Sequence, residues 1–390
     1  MILLLFSIKI TAGIIGGLVS HFLMHDKSDL FLYTTQGLVE YDNLIHNPKL
    51  FFTDSLPSVY ENGIGNFFVT QNSFWNDLRN NILIKTIGVF NILSRGNYYI
   101  NSLFFNTIAF MGNIALYRVF KTIYVKQNWA VIIGSFLLPS TLYFDSLIGK
   151  DLVLFTALSF YCYSLFFSLE NKFTLKYILV FILSFFSILF FRNFVLVILL
   201  PCTVAWVINK KYKIKLLNVY GLVFIVAIIV IIITQFLPHK YNLLELVVKR
   251  QQDFFSLGKA NSQYQNDTLT PTIKSFITAT PNALRHSFLS PFINEFNNKY
   301  LNLFALEMWG YFLLFLLMFI YPIKEKKGLN SFTLFGIIFC LLILLFAGYI
   351  TPNAGSLIRY RSIYLPFLII PILCNINWNF IKIKNTTYKS

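Results

Sequence analysis

Two acidic side chains that could activate a hydroxyl group follow the first apolar segment of the chain. Asp26 and Asp29 are three positions apart, so they share one face if the preceding helix continues. A carboxylate at either position could act as a general base or bind a divalent cation. A solvated helix end would show the same spacing, and both interpretations stay open.

Basic side chains that could bind a phosphate occur at three further points. Lys150, beside Asp151, could contact a phosphate as a point charge or pair with a neighbouring acid. Arg192 lies between two apolar runs, where its permanent charge requires an anion or a carboxylate partner. Arg359 and Arg361 stand at the start of the last apolar segment, where two guanidinium groups could hold one pyrophosphate or extend toward lipid head groups.

A further group contains charges of both signs. Arg285 and Glu295 lie in a polar stretch, and Glu307 lies inside the apolar segment that follows it. A carboxylate at that depth contacts a substrate or forms an interhelical hydrogen bond. We predict that these scattered ionisable groups converge in one polar chamber.

The composition indicates that membrane helices position these groups. Of 390 residues, 56% are hydrophobic and 12% are charged, whereas about 25% are charged in soluble domains. A water-soluble enzyme is therefore excluded.

The apolar runs predict an all-α polytopic membrane protein with about ten transmembrane helices in a single integral membrane domain, residues 1–390. The predicted spans are residues 2–24, 98–117, 129–147, 151–169, 174–191, 193–208, 216–237, 303–322, 331–350 and 362–377. Residues 174–208 could instead form a re-entrant pair or one broken helix.

The distribution of charge predicts the orientation in the membrane. The chain has 32 basic and 16 acidic residues, an excess that would suggest a nucleic-acid partner in a soluble protein. Basic residues also accumulate at the cytoplasmic ends of membrane helices, which explains the excess without nucleic acid. The same rule predicts a multi-pass protein of the plasma (inner) membrane with both termini in the cytoplasm. Two long loops, residues 25–97 and 238–302, then face outward, and the first contains an amphipathic surface helix from Leu78 to Ser94.

Motifs for nucleotide or zinc chemistry are absent from the sequence. It contains no Walker loop, no dinucleotide fingerprint and no nucleophile elbow. The five histidines show no metal-ligand spacing, and the four cysteines lie inside apolar runs. No metal ligand is assigned, and the cofactor stays undefined, with a divalent cation at the first-loop acids as one option.

Several of these features together resemble bacterial polytopic glycosyltransferases of the GT-C superfamily and the related polysaccharide polymerases. They are the acid after the first span, the outer loop with a surface helix, the turn Ile148-Gly149-Lys150-Asp151, the stretch Ser290-Pro291-Phe292 with Glu295 and Glu307, and Arg359-Tyr360-Arg361 with Pro366. The resemblance covers most of the chain, through short motifs. It implies a sugar donor carried on a polyprenyl phosphate or diphosphate, bound from the membrane lipids, and transfer to a glycan or lipid-linked acceptor at the outer face.

The resemblance also implies roles for individual residues. Asp26 or Asp29 matches the catalytic acid of the family's first loop, and Arg359 and Arg361 match its contacts to the lipid phosphate. Lys150 is a weaker match. Members of the superfamily often carry two adjacent acids, whereas here the two acids are separated. Metal dependence and the identity of the base therefore stay open.

Two other functions fit parts of the pattern. A polymerase that joins lipid-linked repeat units would need two lipid diphosphate sites and could use the basic residues at Arg285 and Arg359. A transporter of lipid-linked glycans would need broken helices in two similar halves and charges near the membrane midplane. The sequence shows no internal symmetry, so the transferase is the leading hypothesis.

Overall fold

The helical content of the chain agrees with its composition. The computed structural model describes residues 1–24, 28–53, 67, 73–171, 173–238, 241–256, 261–296, 298–323 and 330–379. Within these ranges the helices are α1 (Ile2–Met24), α2 (Asp29–His46), α3 (Pro48–Thr53), α4 (Phe74–Ser94), α5 (Tyr98–Ile123), α6 (Asn128–Phe136), α7 (Pro139–Phe144), α8 (Lys150–Glu170), α9 (Leu175–Phe191), α10 (Asn193–Tyr212), α11 (Leu216–Thr234), α12 (Leu243–Ser256), α13 (Ile273–Leu284), α14 (Leu301–Ile320), α15 (Ser331–Ile350) and α16 (Ala354–Asn375). The predicted all-α polytopic fold is confirmed.

The membrane-crossing helices follow the apolar runs of the sequence. In the described part of the chain, eight helices are long and apolar enough to cross a bilayer, namely α1, α5, α8, α10, α11, α14, α15 and α16. Helix α9 is apolar but has only 17 residues, the lower limit of a spanning helix, which is about 17 residues. The chain is therefore a multi-pass membrane protein.

The predicted span 129–147 is not one helix but two short ones, α6 and α7. The break falls at Leu137 and Leu138, directly before Pro139, because proline lacks a backbone N–H and disfavours a helical residue before it. Asn113 donates to the Ser135 carbonyl oxygen at 2.9 Å, and Asn106 in the same helix α5 donates to that of Ser146 at 3.0 Å. The broken segment therefore runs antiparallel to α5 and returns the chain to the start of α8.

Polar side chains satisfy the backbone groups that this break exposes. The Ser140 backbone N–H and hydroxyl both donate to Glu307 of α14 at 3.0 Å, and Tyr311 donates to the same carboxylate oxygen. The Thr141 hydroxyl donates to the Ser362 carbonyl oxygen of α16 at 2.6 Å. Since an unsatisfied backbone group in hydrocarbon is costly, Glu307 allows a helix to begin inside the bundle.

Residues 174–208 form two separate helices rather than one broken helix. The backbone leaves the helical conformation at Arg192, and α9 and α10 meet there. Tyr161 of α8 donates to the Thr203 hydroxyl of α10 at 3.1 Å, whereas its ring contacts Phe181 of α9. Arg192 consequently lies at the turn of a helical hairpin, near the start of α8.

Both long loops contain helices in the part of the chain that the structure describes. Helix α4 contains the predicted helix from Leu78 to Ser94 but begins earlier, because the Ser73 hydroxyl accepts from the Asn76 N–H. It packs against α2, a contact that was not predicted, and the Ile87 side chain fits against Gly37, where an added Cβ would lie 2.5 Å from Ile87 Cγ2. The position of α4 on the membrane surface stays a prediction.

The second loop folds onto the turn between α15 and α16. Gln251 of α12 donates to the Tyr349 carbonyl oxygen at 2.7 Å. The Tyr264 N–H donates to the Pro352 carbonyl oxygen at 2.7 Å, and the Ala354 N–H donates to that of Ser262 at 2.9 Å. Helix α12 is therefore held over the end of the bundle at which α8 and α16 begin.

A buried ion pair between Lys9 and Asp145 joins α1 to the broken segment, with 2.8 Å between Nζ and Oδ2. Asp145→Asn should lower stability by about 3–5 kcal/mol, because it leaves an uncompensated buried charge. Unfolding of the purified protein in detergent measures the change. The double substitution Lys9→Met and Asp145→Leu should recover most of the loss, since it removes both charges.

The matched control is Asp42→Asn, which removes the partner of His46 in an exposed ion pair of 2.9 Å. Exposed pairs contribute little, so the unfolding midpoint should stay at that of the unmodified protein. Equal midpoints for Asp145→Asn and Asp42→Asn would show that the buried pair does not support the fold.

Candidate functional site

Asp151 is the centre of an ion-pair network at one end of the bundle. It lies in the first turn of α8, where the positive end of the helix dipole favours a carboxylate. Its Oδ1 accepts from Arg192 Nη2 at 3.0 Å, and its Oδ2 lies 2.9 Å from Arg359 Nε. The Asp151 side chain is 12% exposed. One shielded carboxylate thus joins α8, the turn between α9 and α10, and α16.

Asp29 is the exposed acid of the same network. It is the first residue of α2, its side chain is 68% exposed, and its Oδ2 lies 3.5 Å from Arg359 Nη1. Arg359 therefore connects a buried carboxylate with one that an incoming molecule can reach. Asp26, the other predicted acid, lies outside the described residues.

Three more cations surround this network, and two of them were not predicted from the sequence. They are Lys150, Arg79 of α4 and Arg250 of α12, and the two arginines are only 5% and 6% exposed. Within the described ranges, none of the three has a carboxylate within 4.0 Å. Arg79 Nε donates to the backbone oxygen of Trp75 at 2.8 Å. These residues, with Arg192 and Arg359, are called the cation cluster below.

Burial of Arg250 leaves its charge without a hydrogen-bond acceptor. Its Nε is buried and has no partner among the described residues. Its guanidinium lies over the rings of Phe194 at 4.7 Å and Phe254 at 5.6 Å, and such cation–π contacts compensate only part of the lost hydration. The side chain therefore retains capacity for an anion.

The cations of the cluster repel one another, and burial together with this repulsion lowers the pKa values of the two arginines that lie outside the spanning helices, Arg79 and Arg250. Burial, and then the charge of Arg192, lowers the pKa of Arg79 to about 10. Burial, followed by the charges of Arg192 and Arg79, lowers the pKa of Arg250 to about 9. Lys150 also lies within the field of Arg192 and Arg79. A bound anion would relieve this repulsion.

The acids close to the cluster form ion pairs with only two of its cations. Asp29 and Asp151 are ion-paired within it, and Asp77 and Asp253 act electrostatically on Lys150 and Arg250. Lys150, Arg79 and Arg250 have no ion pair with any described residue. The cluster is suited to a phosphate or diphosphate group, which accepts several charged hydrogen bonds at once.

Aromatic side chains fix the positions of the charged groups. Arg192 lies over the ring of Tyr360 at 4.7 Å, and Arg359 lies over the same ring at 5.6 Å. A narrow cavity of about 20 Å³ beside Arg192 is lined by Tyr360, Tyr364 and apolar side chains of α15, room for about one water molecule. The site is therefore rigid on its bundle side.

The structure brings together five of the ten predicted site residues: Asp29, Lys150, Asp151, Arg192 and Arg359. Arg285 and Glu295 form a group of their own, with 3.8 Å between Nη2 and Oε1. Glu295 also accepts from the Phe292 N–H at 2.8 Å, a local hydrogen bond within the turn that contains both residues. The predicted single chamber is thus replaced by a cation cluster and a separate loop pair.

Arg361 and Glu307 serve the fold instead of joining the cluster. Arg361 is two positions from Arg359 in α16, about 200° around the helix axis, so the two guanidiniums do not meet at one pyrophosphate. It donates to the carbonyl oxygens of Ser287 at 3.2 Å and Ser290 at 2.7 Å. Glu307 is held by the start of α7, as described above. Arg361 is 1% exposed, whereas Glu307 is partly exposed and its Oε1 accepts from Ser140 and Tyr311.

One signal in the sequence could have identified Arg79. Arg79, Leu83 and Ile87 follow each other at four-residue spacing, and all three are buried, so an arginine continues an apolar stripe. Arg250 lies in the polar run Lys249-Arg250-Gln251-Gln252 and gives no such signal. Its role depends on the fold of the second loop.

Metal binding is not decided by the described residues. No group of three or more His, Cys, Asp or Glu side chains that could hold a metal ion occurs among them. Of the two first-loop candidates they include Asp29, which forms an ion pair with Arg359. A divalent cation shared with Asp26 stays a prediction.

Comparisons with known proteins give no match: no family model, curated protein or solved structure matches this chain. The resemblance to polytopic glycosyltransferases therefore has only the motifs of the chain itself as support. Any function assigned to the cation cluster depends on its geometry and charge.

The different burial of the two acids predicts different losses of stability. Asp151→Asn should destabilise the protein by about 3–5 kcal/mol, because the buried Arg192 loses its carboxylate partner and Arg359 keeps only the exposed Asp29. Asp29→Asn should cost less than about 1 kcal/mol, because that ion pair is exposed. Thermal unfolding of both variants in the same detergent measures the difference, and equal losses would contradict the central role of Asp151.

Proposed function

We propose that the cation cluster binds the phosphate or diphosphate of a polyprenyl-linked sugar donor and that the protein transfers this sugar to a glycan or lipid-linked acceptor. The observation that carries the proposal is the combination of three cations that form no ion pair with any described residue and an exposed carboxylate, Asp29, 3.5 Å from Arg359. The cations suit an anionic leaving group. The carboxylate suits the removal of a proton from a hydroxyl group.

The transfer follows from these two parts. Asp29 accepts the proton of an acceptor hydroxyl group, and the hydroxyl oxygen bonds to the anomeric carbon of the sugar. The bond between that carbon and the phosphate oxygen breaks, and its electron pair stays on the phosphate. Arg359, Arg192 and the unpaired cations stabilise the negative charge on the leaving phosphate. Asp26 is the alternative base.

The charge at the opposite end of the helices supports an outward-facing site in the plasma membrane. Lys210 and Lys211 lie in the last turn of α10, with Lys213 and Lys215 directly after it, at the end of the bundle away from Arg192. Under the positive-inside rule that end is cytoplasmic. The cation cluster then faces the outer side, where a lipid-linked donor offers its head group, and both termini are cytoplasmic.

A single dense cluster favours sugar transfer over polymerisation. A polymerase needs two lipid diphosphate sites, and the second would include Arg285. That guanidinium is exposed and pairs with Glu295, so its charge is already partly neutralised. A transporter receives less support, since Lys9 pairs with Asp145 and Glu307 is held by hydrogen bonds, which stabilise the fold rather than line a crossing path.

Binding is testable without the natural donor. Inorganic diphosphate at one hundred times its Kd should stabilise the purified protein by about 2.7 kcal/mol. Arg79→Gln with Arg250→Gln should abolish this shift, because two unpaired cations are lost, whereas Arg285→Gln should leave it intact. A shift that persists in the double variant, or its absence from the unmodified protein, would contradict the anion site.

Catalysis is tested in proteoliposomes that contain a polyprenyl-phosphate-linked sugar and an acceptor. Asp29→Asn should slow transfer by about 10²–10⁴-fold through loss of the base, and Arg359→Ala by about 10²–10³-fold through loss of charge stabilisation. Asp26→Asn identifies the alternative base. Asp42→Asn, on the same helix as Asp29, serves as the control with normal transfer.

Product length separates the two enzymatic functions. Addition of one sugar supports the transferase, whereas a ladder of repeat units together with loss of activity in Arg285→Ala supports the polymerase. Normal transfer by the Asp26, Asp29 and Arg359 variants, at normal membrane insertion, would exclude the proposed site.

A further inference from the structure

A polar cleft separates α2 from α4 beside the cation cluster. Gln36 and Glu40 line it from α2, and Asp77, Asn80 and Asn81 line it from α4. Its volume is about 380 Å³, within the range of small-molecule sites, which is about 300–1,000 Å³. None of the predicted site residues lies in it.

The cleft runs along one side of the contact between the two helices. An added Cβ on Gly88 would lie 3.1 Å from Glu40 Cβ, and one on Gly37 would lie 3.6 Å from the Ile84 carbonyl oxygen, so the helices touch at both points. Ile84 and the exposed Val39 also line the cleft. These two residues supply apolar surface for the face of a ring.

The polar side chains of the cleft have unused hydrogen-bonding capacity. Gln36, Asp77 and Asn81 form no side-chain hydrogen bond with any residue that the structure describes. Asn80 accepts from the Tyr33 hydroxyl at 3.3 Å through Oδ1, which leaves its amide nitrogen available. Burial, and then the charge of Asp29, raises the pKa of Tyr33 to about 12, so this hydroxyl stays protonated and donates.

The mixture of groups selects the kind of ligand. Side-chain amides both donate and accept hydrogen bonds, whereas carboxylates only accept. A sugar hydroxyl also donates and accepts, so a neutral sugar ring can satisfy both types of side chain. The charge of Asp77 would repel an anionic ligand.

The cleft and the cation cluster are neighbours. Asp77 and Lys150 interact electrostatically, and Arg79 belongs to the same helix turn as Asn80 and Asn81. Tyr33 donates to Asn80 and lies within the field of Asp29 and Arg359. A ligand can therefore occupy both places at once.

We propose that the cleft between α2 and α4 binds a neutral sugar ring next to the phosphate held by the cation cluster. The neighbouring phosphate rests on the proposed function, whereas binding of the ring does not. The ring belongs either to the donor or to the acceptor, and the same side chains recognise it in both cases.

The first experiment measures sugar binding by the full-length protein in detergent, from shifts of the unfolding midpoint. The probes are glucose, galactose, N-acetylglucosamine and, as the anionic counterpart, glucuronic acid. At least one neutral sugar should bind and glucuronic acid should not. The double variant Asn80→Leu and Asn81→Leu should raise the Kd about ten-fold or more, because each lost hydrogen bond is worth about 1 kcal/mol.

Two further variants make the result specific. Asn80→Asp with Asn81→Asp keeps the size of the side chains but removes their donors, and it should also lose binding. Asn218→Leu, an exposed amide in the first turn of α11, should bind as the unmodified protein does. Absence of any shift with the neutral sugars, an equal shift with glucuronic acid, or normal binding by the double variants would overturn the proposal.

The transfer assay separates this proposal from the proposed function. A higher KM for the donor in the Asn80 and Asn81 variants assigns the ring to the donor, and a higher KM for the acceptor assigns it to the acceptor. Normal kinetics in these variants would overturn the sugar site and leave the transferase intact. Sugar binding without any transfer by the unmodified protein would overturn the transferase and leave the sugar site intact.

Discussion

A single shielded carboxylate, Asp151, determines how three distant parts of the chain meet. It lies within 3.0 Å of guanidinium nitrogens of Arg192 and Arg359, and the charge of the buried Arg192 alone would be strongly destabilising. Apolar packing is non-directional and would tolerate many arrangements of similar helices. We infer that the ion pairs select the one in which the turn after α9 and the first turns of α16 meet the start of α8.

Buried polar groups in this protein are of two kinds. Lys9 and Arg361 find acceptors within the bundle, and they hold the broken crossing segment and the second loop. Arg79 and Arg250 are comparably buried but have no carboxylate within 4.0 Å among the described residues. Because an unpaired buried charge is costly, these two side chains are the ones whose position calls for a ligand. The exposed fraction of a side chain does not distinguish the paired groups from the unpaired ones, whereas their ion-pair and hydrogen-bond partners do.

The sequence predicts the helices better than it predicts their meeting points. Apolar runs of about 20 residues form spanning helices because backbone groups in hydrocarbon must be satisfied internally. One residue such as Pro139 hardly changes a hydropathy average over a whole apolar run. The sequence therefore predicts one span, residues 129–147, where the structure has the two helices α6 and α7. Arg359 and Arg361 are close in sequence but diverge on a helix, whereas Arg79 and Arg250 are distant in sequence and meet in space. Such pairings depend on tertiary packing, which no local pattern contains.

The cation cluster is basic and the α2–α4 cleft is acidic and polar. This difference in charge would orient a ligand that has one anionic end. Under the proposed mode of binding, a phosphate would be attracted by the cluster and repelled by Asp77, so a molecule with an anionic head and a neutral ring would enter in one orientation. Asp29 acts on Tyr33, which donates to Asn80, and therefore lies where the ring and the phosphate would join. Long-range charge thus sets the orientation, and discrimination among neutral sugars is left to the short-range hydrogen bonds of the amides.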